Sequence, residues 1–222
     1  MQGIMNYFAH SCAFLQRPYF VAGTALPDWL RVVDRTVRVK SKHAAGFLEH
    51  PDARLAALAA GIMQHYRDDA RFHGTRAFAE LSWQLTVAAR QWLPEDDGLR
   101  PRLLGHILVE MLLDAALIER APQQLDAYYT ALAQVDPGLV RDGVQQMTER
   151  PVELLAAFIP AFCAERFLYD YQDDAKLLSR LNRIMGRVGL QPLPAGFLTL
   201  LPQARQRVRE RRDDLLAGEE SG

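Results

Sequence analysis

Histidine and carboxylate side chains recur at four-residue spacing in two stretches of this chain. His65, Asp69 and His73 stand at i, i+4 and i+8, and His106, Glu110 and Asp114 repeat the interval. On a helix, residues so spaced line one face. A third grouping is His10, in Asn6-Tyr7-Phe8-Ala9-His10, followed by Asp28 after Pro27. Imidazole and carboxylate together are the ligand set of zinc, manganese and iron sites. A His and an Asp one turn apart can hold one ion, and two facing helices can hold two. The expected metal ligands are therefore His10, Asp28, His65, Asp69, His73, His106, Glu110 and Asp114, and of these His10, His65, Asp69, His106 and Asp114 are expected to meet in one partly open pocket. Each has a plainer alternative. Asp28 can cap a helix, His73 can complement a helix C-terminus before Gly74, and any His–carboxylate pair can be a simple salt bridge. Asp68, beside Asp69 but rotated off its face, reads as a solvated helix residue.

The elements that must carry these residues read as helices. Ala, Leu, Arg, Gln and Glu dominate long stretches punctuated by Pro and Gly, and strand-like alternation is nearly absent. A short helix is expected over Asn6 to Gln16. The segment from Tyr19 to Arg31 is broken by Gly23 and Pro27, so that Asp28 opens a helical turn. Lys40 to Glu49 is ambiguous. Pro51 starts a strong helix to about Phe72, with Leu55, Leu58, Ala59 and Ile62 as its apolar stripe. Arg76 to Leu93 follows, then a polar loop at Pro94-Glu95-Asp96-Asp97-Gly98. Pro101 begins a helix to Arg120 that is apolar on almost every side, which marks it as central. His106, Glu110 and Asp114 lie inside it, where a charge is costly without a partner. Further helices are expected at about 122–134, 137–147, 151–170, 173–188 and 200–217. The result is one all-α domain over 1–222, a bundle of roughly eight to ten helices, with 200–217 as an arginine-rich surface helix.

Composition narrows the function classes. The 222 residues carry a formal net charge of −1, so no global field favours nucleic acid or an anionic membrane. Hydrophobic residues make up 49%, enough for a folded core. No apolar run reaches about 18 residues, so no membrane span is expected. The start lacks a basic n-region, and Cys12 and Cys163 form no CxxC pair; a cytoplasmic location is the default. There is no HExxH, no Glu-x-x-His, no adjacent His-Asp pair, no phosphate-binding Gly-rich loop and no G-x-S-x-G. Zincin, ferritin-like, nucleotide-loop and serine-hydrolase readings therefore lack support. Trp29, Trp83 and Trp92 are expected in the core or lining a pocket. Glu165, Tyr169 and Asp173 repeat the four-residue spacing without a motif around them, and His43 and His50 are expected to be exposed.

The segment Met5-Asn6-Tyr7-Phe8-Ala9-His10 resembles the opening MNFLAH of bacterial acyl carrier protein phosphodiesterases, and the likeness suggests Met5 as a native start. Ala60-Gly61-Ile62 followed by His65 and Asp69 is similar to that family's next signature, and Asp28 stands at about the expected separation from His10. The likeness covers roughly the first 115 residues. His73 stands near a family Asp, and Glu110 to Ala115 lacks a family His, with His106 one turn earlier. The pattern is also similar to the zinc-dependent phospholipase C and P1 nuclease group. These resemblances imply an HD-like or phospholipase C-like helical scaffold and metal-dependent phosphoester hydrolysis. Manganese or zinc would be the cofactor, and the substrate an acyl carrier protein losing its 4'-phosphopantetheine, or another phosphoester. No catalytic group beyond the metal ligands is assigned. The rival from another class is a non-enzymatic helical binding protein whose polar groups pair among themselves.

Overall fold

The computed structural model of the protein describes residues 6–93 and 99–217. The expected polar loop at Pro94 to Gly98 and the suggested start at Met5 lie outside the described residues. Every regular element among the described residues is helical: α1 (Pro18–Val33), α2 (Ser41–Ala45), α3 (Ala53–Gly74), α4 (Arg76–Arg90), α5 (Leu99–Arg120), α6 (Pro122–Ala133), α7 (Pro137–Thr148), α8 (Leu155–Glu165), α9 (Asp174–Arg187), α10 (Leu201–Glu210) and α11 (Arg212–Ala217). Two 3-10 turns, Phe167–Gln172 and Ala195–Leu200, complete the set. The all-α class expected from the sequence is what the chain adopts. No described helix is long and apolar enough to cross a membrane.

The chain forms two compact units. One, here the α1 unit, comprises Tyr7–Asp69 and Ala121–Arg166; the other, the α5 unit, comprises 70–120, 167–217 and Asn6. In the α1 unit, α1 packs on α6 and α8, while α7 packs on α8 and α2. Trp29 is fully buried and meets Phe158 and Phe162 edge-on. Gly23 of α1 and Gly61 of α3 lie against each other, since a Cβ built on either would fall 2.9 Å from the other's Cα. The two helix backbones touch there, which only glycine permits.

Two expectations fail in this unit. The Tyr19–Arg31 segment is not broken: α1 runs through both Gly23 and Pro27. An internal proline costs roughly 3 kcal/mol. Every residue from Phe20 to Leu30 is buried, however, and full burial of each large apolar side chain contributes about 1.5–3 kcal/mol. Packing outweighs the breaker. Conversely, residues 7–16 form consecutive turns rather than a helix. Their backbone bonds are mostly of the tight three-residue kind, as in Ser11 N–H to Phe8 O and Phe14 N–H to Ser11 O. The Ser11 hydroxyl bonds Tyr7 O at 2.9 Å and Thr24 Oγ1 at 2.7 Å, so a polar side chain pins the segment to α1 in place of helix propagation.

In the α5 unit, α5 packs against α4 and α10 and against the first 3-10 turn. Its residues Leu104, Ile107, Leu108, Val109, Met111 and Leu113 are all buried, as the all-round apolar pattern requires. The N-cap Thr75 accepts the Phe78 N–H at 3.0 Å and starts α4. The expected single helices over 151–170 and 200–217 are each divided. Arg166 takes a left-handed conformation at φ 45° and ends α8, and Arg211 interrupts α10 before α11. Trp83, expected in the core or lining a pocket, stands outside the core at 58% exposure on the outward face of α4.

Candidate metal centres

Helix α3 presents His65 and Asp69 one turn apart, and the turns before α1 deliver His10 to them. The His10 and His65 rings lie 4.5 Å apart between centroids. His65 Nδ1 is 2.8 Å from the Thr24 carbonyl oxygen. A carbonyl can only accept, so Nδ1 carries the proton and Nε2 carries a lone pair. That Nε2 makes no hydrogen bond and sits 3.5 Å from Asp69 Oδ2. His10 is tethered in a similar way. Its Nδ1 donates to Asp68 Oδ2 at 3.2 Å, and its Nε2, without a hydrogen bond, faces Asp69 Oδ1 at 3.4 Å. His10, His65 and Asp69 are 2%, 1% and 7% exposed.

Electrostatics separates the two imidazoles. Burial disfavours charge on His10, but the Asp68 hydrogen bond and the close negative charges of Asp69 and Asp68 outweigh it and raise its pKa to about 10. Burial, reinforced by the charge on His10, lowers that of His65 to about 3. The triad thus places a positive charge beside Asp69 while His65 stays a neutral acceptor. A divalent cation would take that place. Ligands about 2.0–2.1 Å from a tetrahedral ion stand about 3.3 Å apart. The two Nε2 atoms approach different Asp69 oxygens, Oδ1 at 3.4 Å and Oδ2 at 3.5 Å, each close to such an edge and long for a hydrogen bond.

Asp68 is corrected from a solvated residue to a support. It accepts from His10 and, at Oδ1, from Gln64 Nε2 at 2.7 Å. A carboxylate on the far nitrogen of a ligating imidazole fixes ring orientation and raises basicity. Asp28 is buried within α1 and faces Arg31 at 3.5 Å, outside this triad.

The α5 unit holds a second group. His106 and Glu110 share one face of α5, and His73 closes on them from the last turn of α3. His73 Nε2 and His106 Nε2 lie 3.1 and 3.0 Å from the same Glu110 oxygen, Oε1. The two imidazoles stack at 4.9 Å with 25° between planes, and Phe78 meets both edge-on. Glu110 is wholly buried, which opposes its ionisation, but the His106 and His73 contacts prevail and lower its pKa. Asp114, one turn on, is also wholly buried but lies outside the group. The sequence draws His10, His65, Asp69, His106 and Asp114 to one pocket; the structure instead gathers His10, His65 and Asp69 in one unit and His73, His106 and Glu110 in the other.

The remaining polar residues have local roles. His43 and His50 accept the backbone N–H groups of Lys40 and Asp52 through Nδ1. Asp173 caps α9 by accepting the Lys176 N–H. Of the arginine row, Arg205 pairs with Asp174, Arg209 with Glu119, Arg211 with Glu80 and Asp214, and Arg212 with Asp213.

Comparison of the chain with protein families, characterised proteins and solved structures gives no match in any of the three.

Proposed function

We propose that the chain is a metal-dependent phosphoester hydrolase whose divalent cation is held by His10, His65 and Asp69. One observation carries the reading. Two buried imidazoles have their Nδ1 atoms engaged and direct their Nε2 atoms, neither hydrogen-bonded, at one carboxylate. Two nitrogens and a carboxylate oxygen suit zinc or manganese. Such an ion supplies Lewis acidity toward a phosphoryl oxygen and lowers the pKa of water. The protein's part is to hold the ligands: Thr24 O fixes the His65 tautomer, Asp68 orients His10, and Asp69 provides the negative charge. The phosphoester class and the acyl carrier protein as substrate follow the resemblance of the first 115 residues. The ion-paired arginines of α10 and α11 add nothing to the choice of an acidic carrier.

The test is metal analysis of protein purified with zinc and with manganese, alongside hydrolysis of a generic aryl phosphodiester and release of 4'-phosphopantetheine from holo-acyl carrier protein. The expected result is an ion at His10, His65 and Asp69 together with hydrolysis, and in His65→Gln the loss of that ion and of the hydrolysis. Activity on the aryl ester alone would favour the phospholipase C or nuclease reading. Absence of bound metal under both conditions would overturn the proposal in favour of a helical binding protein.

A further inference from the structure

The proposed hydrolase uses only the α1-unit triad, yet the α5 unit contains a group of the same composition and opposite exposure. We propose that His73, His106 and Glu110 form a second, independent site for a zinc-class divalent cation, bound by three protein atoms with one position left for solvent.

The geometry requires little adjustment. All three ligand atoms lie within 4.8 Å of one another, and both imidazole nitrogens stand 3.0–3.1 Å from one carboxylate oxygen. Tetrahedral ligand edges at zinc are about 3.3 Å, so an ion enters after shifts of a few tenths of an ångström. A carboxylate with no exposure is costly unless it meets positive charge. A cation supplies that charge to Glu110 beside the two stacked imidazoles. Two histidines with one glutamate are a set that catalytic zinc sites use with water as fourth ligand. Access differs from the first triad. The His73 and His106 side chains are 21% and 23% exposed, against 2% and 1% for His10 and His65. The Phe78 edge walls the site on one side and narrows the approach to it. Position is fixed by α5, which touches α4 closely enough at Gly105 that a Cβ there would meet the Ser82 and Thr86 backbone.

The experiment follows the histidine imidazole signals of the intact wild-type protein by nitrogen–proton NMR during titration with zinc chloride. Inductively coupled plasma metal analysis is run in parallel on His106→Gln and His65→Gln. The expected result is that zinc shifts His73 and His106, that His106→Gln binds one ion fewer, and that His65→Gln keeps the His73 and His106 shifts. Zinc affinity read from the His73 signal should fall by about 100-fold or more in His106→Gln. Unmoved His73 and His106 signals at saturating zinc would overturn the proposal whatever the first triad does. The wild-type titration decides this even where a variant folds poorly. Shifts confined to His73 and His106 would support the second site while counting against the proposed hydrolase centre.

Discussion

The two triads are built from the same groups, two imidazoles and one carboxylate, and differ in which atoms are already engaged. In the α1 unit each imidazole is tethered at Nδ1, by Asp68 or by the Thr24 carbonyl, and each Nε2 stands 3.4–3.5 Å from Asp69. In the α5 unit both Nε2 atoms close to 3.0–3.1 Å on Glu110. The first is held open by its surroundings; the second is drawn in on its own carboxylate. Preorganised ligands lose little freedom on binding, whereas a collapsed group must exchange existing contacts for the ion. Faster exchange is therefore expected at the more exposed α5 site, while an ion in the α1 unit must displace the His10 proton and binds more tightly as pH rises.

The largest expected effect tests the tethering. Gly61→Val would drive a side chain into the Phe20 carbonyl and the Gly23 backbone and part α1 from α3. A destabilisation of about 3 kcal/mol is expected in thermal melts, with loss of the His10 and His65 zinc shifts. Retained stability and zinc binding would show that the helix crossing does not position the site. Next comes the support itself. Asp68→Ala leaves every ligand of the first triad in place, and a 10–100-fold loss of metal affinity is expected from competition titration with a chelator. A wild-type affinity in that variant would return Asp68 to the surface role its sequence position suggests.

A pH series on the metal-free protein sharpens the contrast further. His10, facing Asp68, Asp69 and His65, has its pKa raised from 6.5 to about 10. Its contribution to stability is full below about 6.5 and is lost as pH rises through about 10. His65, lowered to about 3 by burial, His10 and Arg31, has the opposite sign. Its unfolded form takes up a proton below about 6.5, so stability declines as pH falls toward 3. Glu110, also lowered, contributes only an acid-side loss. The melting temperature of metal-free protein should therefore decline between pH 7 and 9.5 in wild type, by an amount reduced in His10→Gln and unchanged in Glu110→Gln. The smallest effect is a control. His50→Gln touches a turn outside both triads, and an unchanged metal content with stability within about 0.5 kcal/mol is expected.

What the sequence revealed follows the range of each interaction. The i, i+4 pairs His65/Asp69 and His106/Glu110 were readable because both partners sit on one helix, and α5 was readable from its apolar surround. Asp68 was misread because its partner, His10, arrives from 58 residues away; local rotation alone points it off the Asp69 face. The Thr24 carbonyl left no trace, since a backbone acceptor has no residue code. The continuity of α1 through Pro27 was hidden for a related reason: local propensity forbids what burial on every side enforces. Likewise nothing local at Arg166 announces a left-handed residue, and its side chain bonds Asp126 at 2.6 Å, 40 positions earlier.

The contact between Gly23 and Gly61 has a consequence for descent. His65 depends on a carbonyl that any residue at position 24 would offer, so selection on the proposed metal ligand cannot act through the identity of that residue. It acts on the two missing side chains that let the carbonyl approach. In diverging copies of this chain, Thr24 is free to drift as far as His65 is concerned, and what constrains it is its burial and its bonds to Ser11 and the Val21 carbonyl. The inherited signature of the site is then a pair of glycines, one in each helix, accompanying the histidine one turn beyond the second.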